Sequence, residues 1–410
     1  MNIKNIFARE ILDSRGNPTI EVTMELDNGI KCSSSIPSGA STGSREAIEL
    51  RDGDLNRYNG KGVLNAVNNV NTIINKALVG KEANVLNVDN TMIDLDGTEN
   101  KSKLGANAML GVSLACLKCL AKANDKELYE FVSSGKVGMP IPMINILNGG
   151  VHAGNNLSIQ EFMIVPIVKK EKERIRVGSE IFHTLKNVLK EHNYNTGVGD
   201  EGGYAPDVKD TFEALDLIIE AIKKSNYEPG KDVFIALDIA ASQLYNKESN
   251  KYLLDKMEYN SDELIKYYLD LVKKYPIISI EDPFEENDFE SFAVLTKLIG
   301  KKIMLVGDDY FVTNVKYLEE GIKKEAGNAI LLKANQIGTV SEMTKTIVYA
   351  KKHGYKLVIS HRSGETTDTF LADFAVGFAT EFIKTGSMSR GERICKYNRL
   401  MEIENKLNGN

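Results

Sequence analysis

Residues 302–309 (KIMLVGDD), 329–333 (AILLK) and 356–363 (KLVISHRS) repeat the pattern that decides the fold, a short apolar run that ends in polar or charged groups. Residues 233–238 (VFIALD) and 277–282 (IISIED) have the same form. Segments with apolar residues at helical spacing follow these runs. Continuous apolar strands that alternate with helices predict a parallel sheet whose outer face is covered by the helices.

The spacing of the strand ends favours a closed barrel of β/α units. Asp308, Lys333 and His361 follow one another at intervals of 25 and 28 residues, which suits one strand and one helix joined by short loops. An open, doubly wound sheet also fits this spacing. A single acid at a strand end often caps the next helix. In a barrel, however, all strand ends open on one face, and that face would gather Asp238, Glu281, Asp308, Lys333 and His361.

Residues 1–135 show a different pattern, strand-like segments followed by helix-like segments, which predicts a smaller α+β domain. Two alternating segments predict a β-hairpin, and two amphipathic segments predict helices. In chain order, these segments are 3–12, 19–29, 62–78 and 104–124. Glycine, serine and proline are concentrated in residues 133–142, which predicts the domain boundary there. Residues 136–410 are then the predicted barrel domain.

The composition is that of a globular protein that does not bind nucleic acid. Of the 410 residues, 42% are hydrophobic and 26% are charged, and the formal net charge is −6. Because there is no basic excess to neutralise a phosphate backbone, we expect no nucleic-acid partner, whereas a small acidic substrate is compatible with a local cluster of positive charge. The chain shows neither a leader-like segment nor eighteen consecutive apolar residues, so we expect a cytoplasmic protein with no membrane partner.

Three of the strand-end groups are carboxylates that suit a magnesium ion. Asp238, Glu281 and Asp308 offer hard oxygen ligands and no thiolate. Lys333 follows the next strand, where burial and a neighbouring dication both disfavour a charged amine. Lys333 is therefore a candidate general base, with a salt bridge or a solvated head group as the alternative.

Residues 197–202 (GVGDEG) match the G-x-G-x-x-G pattern of dinucleotide-binding loops, which raises the alternative of a nucleotide-dependent dehydrogenase. Asp200 and Glu201 would place negative charge where a pyrophosphate must bind, and Pro206 interrupts any helix that follows. We therefore interpret Glu201 as an acid or base held on a tight loop. A plain turn is the alternative.

Two further segments add polar groups to the predicted barrel mouth. Residues 148–162 (NGGVHAGNNLSIQEF) contain His152 in a glycine-rich loop, followed by Gln160 and Glu161 in an apolar alternation. Residues 36–46 (IPSGASTGSRE) contain small residues suited to closing over a ligand and offer Ser41 as an oxygen ligand, without the lysine of a Walker loop. The remaining histidines are expected at the surface, namely His183, His192 and His353.

Taken in order along nearly the whole chain, these segments resemble the enolase family. The resemblance rests on AREILDSRGNPTIEV, IPSGASTG, NILNGGVHAGNN with IQEFM, GDEGGYAP, IALD, SIEDPF, VGDDYFVTN, LLKANQIGTVSE, SHRSGETTDTF and IKTG. It implies an N-terminal α+β lid domain on an eight-stranded β/α barrel with one irregular, antiparallel strand. It also implies a Mg²⁺-dependent lyase that removes water from 2-phosphoglycerate to give phosphoenolpyruvate.

The resemblance assigns roles to residues of this chain. The ligands of the first Mg²⁺ are expected to be Asp238, Glu281 and Asp308. A second Mg²⁺, bound together with substrate, is expected at Ser41. The base is expected to be Lys333 and the general acid Glu201, assisted by Glu161 and His152. Substrate binding is expected to involve Gln160, Lys333, His361, Arg362, Ser363 and Lys384.

The chain departs from the family pattern at Gln243, Leu244 and Tyr310 and in residues 387–393 (SMSRGER) after Lys384, and none of these departures removes an expected catalytic group. The alternatives are a related enzyme acting on a different carboxylate, the nucleotide-dependent dehydrogenase, and a non-enzymatic surface-binding protein. The resemblance implies a homodimer and, beside the cytoplasmic protein, a secondary pool at the cell surface.

Overall fold

Three antiparallel strands open the fold of this computed structural model, which describes residues 1–39 and 43–409. They pair in chain order, and their bounds are β1 (Ile3–Leu12), β2 (Pro18–Leu26) and β3 (Lys31–Ser35). Asp13 closes the turn between the first two strands, because its carboxylate accepts backbone N–H bonds from Arg15 and Asn17. The predicted hairpin is therefore confirmed.

Helices cover one side of this sheet. The α-helical segments are Leu64–Asn68, Asn75–Leu78, Val85–Asp96, Ala106–Ala123 and Leu128–Val132, with π-helical Asn69–Ile74 joining the first two and a 3-10 turn at Tyr58–Gly60. Helix Ala106–Ala123 is long and apolar enough to cross a membrane on length and composition, which the sequence expectation had not foreseen. Most of it is buried against β2 and β3, as in the core helix of a folded domain.

Eight strands form a closed barrel in the second part of the chain. Their bounds are β4 (Ile141–Asn148), β5 (Glu161–Pro166), β6 (Val233–Asp238), β7 (Ile277–Glu281), β8 (Met304–Gly307), β9 (Ala329–Leu332), β10 (Lys356–Ser360) and β11 (Phe382–Lys384). Strand β5 runs antiparallel to both of its neighbours, and the other neighbouring pairs are parallel. The predicted eight-stranded barrel with one antiparallel strand is confirmed.

Side chains fill the interior of the barrel. Alternate strand residues point inward and form one buried cluster of Met143, Met163, Val165, Ala236, Met304, Val306, Ala329, Leu331, Val358 and Phe382. The residues between them, such as Ile330 and Leu332, belong to the larger core that includes the surrounding helices. A filled interior leaves the ends of the strands as the place for a site.

Helices surround the barrel. Their bounds are Glu171–Glu191, Thr211–Lys224, Ser261–Lys274, Phe289–Ile299, Val315–Lys323, Ala334–Ile337, Val340–Lys352, Phe370–Gly377 and Gly391–Leu407. A small three-stranded sheet of Tyr245–Asn246, Lys251–Leu254 and Met257–Tyr259 lies outside the barrel, and 3-10 turns lie at Gly150–His152 and Ala241–Gln243.

The N-terminal sheet region lies against the mouth of the barrel. Ser38 and Gly364 exchange two backbone hydrogen bonds, of 2.7 and 2.9 Å, and Gly364 follows the end of β10. Residues 133–140, in the predicted boundary, form no helix or strand. The position of the boundary itself stays a prediction.

Candidate active site

Strand register places three carboxylates side by side at the barrel mouth. Glu161 pairs with Asp238 across β5 and β6, and Glu281 pairs with Asp238 across β6 and β7. Because β5 runs in the opposite direction, its first residue reaches the face that the other strands reach with their last residues. All three carboxylates are buried.

Lys384, at the end of β11, lies among these carboxylates. Its Nζ is 3.1 Å from Glu161 Oε1, 3.0 Å from Asp238 Oδ2 and 3.0 Å from both carboxylate oxygens of Glu281. Burial opposes the charge of Lys384, but the three carboxylates outweigh it and raise the pKa of this lysine well above its ordinary value. Lys384 is therefore a fixed cation.

Lys333 forms a second buried ion pair, with Asp308. The lysine Nζ donates to Asp308 Oδ2, and Gln336 Nε2 donates to Asp308 Oδ1 at 2.7 Å. Burial alone would lower the pKa of Lys333, as expected from the sequence. The neighbouring Asp308 carboxylate outweighs burial and raises that pKa above the ordinary value. In this arrangement, Lys333 carries a proton.

Glu201 is held on its loop between two imidazoles. Asn145 Nδ2 donates to Glu201 Oε2 at 2.9 Å, His361 Nε2 lies 3.3 Å from the same oxygen, and His152 Nδ1 lies 3.6 Å from Glu201 Oε1. Arg393 Nη1 donates to His361 Nδ1 at 2.6 Å, so the proton of the neutral ring lies on Nε2 and faces Glu201. Burial lowers the pKa of His361 to about 4.

Glu161 and Glu201 have environments that separate their pKa values. Burial and then the Glu201 carboxylate raise the pKa of Glu161 well above its ordinary value. Burial acts in the same sense on Glu201, but His361 and His152 outweigh it and lower the pKa of Glu201. Of the two carboxyl groups, Glu161 therefore holds a proton more firmly in this arrangement.

Arg362 follows β10 and is engaged by acidic and amide groups. Its Nη1 and Nη2 donate to the two oxygens of Glu46 at 2.8 and 3.2 Å, and Nη1 also donates to Asn335 Oδ1 at 3.1 Å. The hydroxyl oxygen of the next residue, Ser363, accepts a bond of 3.3 Å from Arg15. Both Arg362 and Glu46 are buried.

Several of these residues were not found from the sequence. Asn335 and Gln336 lie two and three residues after the strand-end Lys333, and this proximity is a sequence signal for them. Glu46, Arg15 and Arg393 carry no such signal, because they come from outside the barrel strands. The residues that contact the site and for which the sequence predicted no role are Arg15, Glu46, Asn145, Asn335, Gln336 and Arg393.

The acidic groups suit a divalent cation. Within the described residues, two sets of ligand atoms lie within 4.8 Å of one another: His152, Glu161 and Glu201, and Asp282, Asp308 and Asp309. The expected trio of Asp238, Glu281 and Asp308 is neither of these sets. Lys384 contacts Asp238 and Glu281, and Lys333 contacts Asp308.

Asp282 acts on its neighbours through the backbone. Its two carboxylate oxygens accept the N–H groups of Asp308 and Asp309 at 2.8 and 2.9 Å, which orients Asp308 towards the mouth. The buried oxygens Gln160 Oε1 and Glu161 Oε2 have no hydrogen-bond partner among the described residues. Unpaired oxygens beside several carboxylates form a donor set that fits Mg²⁺ or a similar hard cation.

A small cavity of about 20 Å³ joins these groups. It is lined by His152, Gln160, Glu161, Glu201, Asp238, Lys333, Ser360, His361, Arg362, Ser363 and Lys384. The structure therefore brings together nearly all of the expected site residues. Glu281 and Asp308 do not line the cavity themselves, but they contact its lysines, Lys384 and Lys333. Ser41 lies outside the described residues. The three other histidines are exposed, as expected.

These features define a β/α-barrel enzyme whose mouth is built to bind a cation and a small anion. Residues 199–206 form no helix, which removes the structural context of a dinucleotide-binding loop. Comparison with known families gives two matches: residues 3–132 match the enolase N-terminal domain, and residues 136–410 match the enolase C-terminal TIM barrel domain. The chain belongs to the enolase family of metal-dependent lyases.

Proposed function

We propose that this protein catalyses the reversible, Mg²⁺-dependent dehydration of 2-phospho-D-glycerate to phosphoenolpyruvate, as a step of glycolysis and gluconeogenesis. The observation that carries the proposal is that Lys333 and Glu201, one amine and one carboxyl group, line the same cavity as Arg362 and Ser363. A proton acceptor, a proton donor and a phosphate-binding pair are the groups that this reaction requires.

Positive charge in the mouth would bind the two anionic ends of the substrate. Arg362 presents a planar fork of donors, which matches a phosphate group, and Ser363 adds a hydroxyl beside it. Lys384 is held as a cation by three carboxylates. In that position it would stabilise the negative charge that develops on the substrate carboxylate when the neighbouring proton is lost.

The acidic residues would supply the metal site. Asp238, Glu281 and Asp308 would hold one Mg²⁺, and Ser41, outside the described residues, a second one that arrives with substrate. Bound Mg²⁺ supplies charge stabilisation for the doubly negative carboxylate of the intermediate. A lysine base with one or two Mg²⁺ ions is the arrangement used by enolase-type enzymes.

Lys333 and Glu201 would act at different bonds. Lys333 accepts the proton beside the substrate carboxylate only after losing its own, and the Asp308 carboxylate is the group that keeps its pKa high. Lys333 would therefore act as a base only when the Asp308 carboxylate is bound to the metal ion. Glu201 would protonate the departing hydroxide. His152 Nδ1 lies 3.6 Å from both Glu161 Oε1 and Glu201 Oε1, so the imidazole would lie beside both carboxyl groups during the reaction.

Assembly and location form part of the same proposal. We infer a homodimer in the cytoplasm from the family alone, with the secondary surface pool as a further expectation. Sedimentation of the purified protein at micromolar concentration is the direct measurement of the assembly.

The test of the reaction is conversion of 2-phosphoglycerate followed by ³¹P nuclear magnetic resonance. With Mg²⁺, we expect the phosphoenolpyruvate signal to appear; after chelation and verified metal removal, turnover should be lost, and added Mg²⁺ should restore it. Full activity in the verified metal-free protein would contradict the proposal. Glycerate without its phosphate is the matched control; it is followed by ¹H nuclear magnetic resonance because it contains no phosphorus, and it should not react at a comparable rate.

A further inference from the structure

Glu46, an acidic residue of the N-terminal domain, forms an ion pair with Arg362, the arginine to which we assign phosphate binding. Glu46 accepts two hydrogen bonds from Arg362, at 2.8 and 3.2 Å, one on each carboxylate oxygen. This is the paired geometry with which arginine binds either a carboxylate or a phosphate. An anion that approaches this side of Arg362 therefore meets donors that are already in use.

The position of Glu46 is fixed by its own segment. Its Oε1 accepts the backbone N–H of Gly43 at 3.0 Å and a longer bond of 3.4 Å from Gln336 Nε2. The residue follows the loop that begins at Gly39, and a Cβ added to Gly39 would lie 2.1 Å from Arg362 Nη2. Gly39 and Glu46 therefore both lie close to the guanidinium group.

The ion pair separates two spaces. The inner cavity, of about 20 Å³, has Arg362 in its wall and has room for about one water molecule. An outer chamber of about 400 Å³ is lined by Glu46, Gly39, Gly43 and Asn335, among others. Glu46 thus faces the outer chamber while its partner faces the inner cavity, and the pair forms the wall between them.

The other cations of the inner cavity are also matched within the protein. Lys384 contacts three carboxylates, and Lys333 contacts Asp308. Unlike those carboxylates, Glu46 comes from the N-terminal domain rather than from the barrel. It is therefore the carboxylate that a movement of the N-terminal segment can withdraw without disturbing the barrel strands.

We propose that Glu46 is an internal competitor for the substrate phosphate, which closes the inner cavity by holding Arg362 and opens it when the phosphate takes its place. The proposal rests on the proposed function, since that function assigns phosphate binding to Arg362. Glu46 acts through Arg362 and is a positioning residue. The apparent affinity for phosphate is then the intrinsic affinity multiplied by the fraction of protein in which the pair is open.

The test is calorimetric binding of inorganic phosphate to the full-length protein at pH 8. In Glu46→Gln, an amide of the same size replaces the charged competitor, and phosphate should bind about tenfold more tightly than to the wild type. Glu10→Gln is the matched control. Glu10 also belongs to the N-terminal domain and accepts from both Nη atoms of an arginine, Arg57; this pair lowers the pKa of Glu10, so the residue is ionised at pH 8. Its removal should leave phosphate affinity unchanged within about twofold.

A second variant and a kinetic measurement distinguish two roles of Glu46, competition with phosphate and structural support of Arg362. Glu46→Asp keeps the charge but shortens the arm, so phosphate should bind about threefold more tightly than to the wild type. With substrate, Glu46→Gln should lower KM about tenfold and change kcat little, because competition affects substrate and transition state alike. If Glu46 merely braces Arg362, both variants bind phosphate more weakly, and this result overturns the proposal.

The outcomes distinguish the two proposals. Tighter phosphate binding by Glu46→Gln in a protein that does not dehydrate 2-phosphoglycerate would support the competitor and overturn the proposed function. Normal dehydration with unchanged or weaker phosphate binding in Glu46→Gln would overturn the competitor and leave the proposed function standing.

Discussion

Lys333 shows how the charge of the site is set by one neighbour. Burial alone would lower the pKa of the amine, yet the contact with Asp308 outweighs that effect and raises the pKa. Glu201 shows the opposite balance, since the imidazoles that face it lower the pKa against the effect of burial. The proposed base is thus held protonated and the proposed acid ionised, so both must change state before the reaction.

Replacing each of these two residues should separate removal of the proton from departure of hydroxide. Lys333→Ala should lose both dehydration and exchange of the substrate α-hydrogen with solvent deuterium. Glu201→Gln should lose dehydration but keep much of the exchange. Each loss is expected to be roughly a hundredfold or more, the usual scale for a positioned acid or base. Proton nuclear magnetic resonance in deuterium oxide measures the exchange.

Metal occupancy and folding of each variant are the controls for this comparison. A Lys333→Ala protein that exchanges the hydrogen at the normal rate would show that another residue is the base. Equal loss of exchange in both variants would mean that Glu201 orients the substrate or tunes the site electrostatically.

The site residues at strand ends could be predicted, because a barrel gathers all its strand ends on one face. Asp238, Lys333 and His361 all lie there. Glu46 could not be predicted in the same way, since it is 316 residues from its partner Arg362 and no local pattern links the two. Such contacts depend on how the domains pack, which periodicity does not report.

At the scale of elements, the helix Val340–Lys352 shows how the barrel and the N-terminal domain are joined. Thr339 caps its first turn by accepting from the N–H of Glu342. The N–H of Val340 donates to Ser113 Oγ at 3.0 Å, and that of Ser341 donates to Asp89 Oδ2 at 2.9 Å. Two residues of the N-terminal domain thus complete the cap of a barrel helix.

Asp89 makes this junction sensitive to pH. Burial raises the pKa of Asp89 to about 6, although hydrogen bonds from Ser113 and Ser341 act in the opposite sense. The folded protein therefore keeps this proton at pH values where the unfolded chain has lost it. Since the folded state binds more protons, the contribution of Asp89 to stability is present below about pH 4 and falls as the pH rises to about 6.

Asp89→Asn should remove this dependence, because an amide does not ionise but still accepts from Ser341. The difference in free energy of unfolding between variant and wild type should shift in favour of the variant by about 2 kcal/mol between about pH 4 and pH 6. Urea unfolding at several pH values measures it. A difference that stays constant over this range would show that Asp89 does not titrate as its burial requires.

At the scale of the whole molecule, the barrel and its antiparallel strand followed from the sequence, while the closure of the mouth did not. The apolar runs and their spacing indicate β/α units, and the resemblance implied the reversed strand β5. The size of the inner cavity depends on side chains from both domains meeting across the mouth. Neither the strand pattern nor the motifs report how closely those side chains approach.

The junction of the two domains at Gly364 gives the last prediction. Ser38 Oγ donates to Asp13 Oδ2 at 2.7 Å, and Arg15 Nη2 donates to Ser38 Oγ at 3.1 Å. A Cβ at Gly364 would lie 2.3 Å from Asp13 Oδ2 and 2.7 Å from Ser38 Oγ. Because these groups are bonded to one another, they cannot move aside without breaking that network.

Gly364→Ala should therefore lower the free energy of unfolding by roughly 1–3 kcal/mol, the usual cost of overpacking, and should loosen the contact between the domains. Urea unfolding followed by circular dichroism measures the first effect, and proteolysis near residues 36–39 measures the second. Gly391→Ala is the control, since no atom lies within 4 Å of its added Cβ, and its stability should change by less than about 0.5 kcal/mol. If both variants are equally stable, the hydrogen-bond network around Asp13 accommodates the added methyl group without loss of stability. The N-terminal domain is then held over the barrel mouth by other contacts, such as the cap on helix Val340–Lys352.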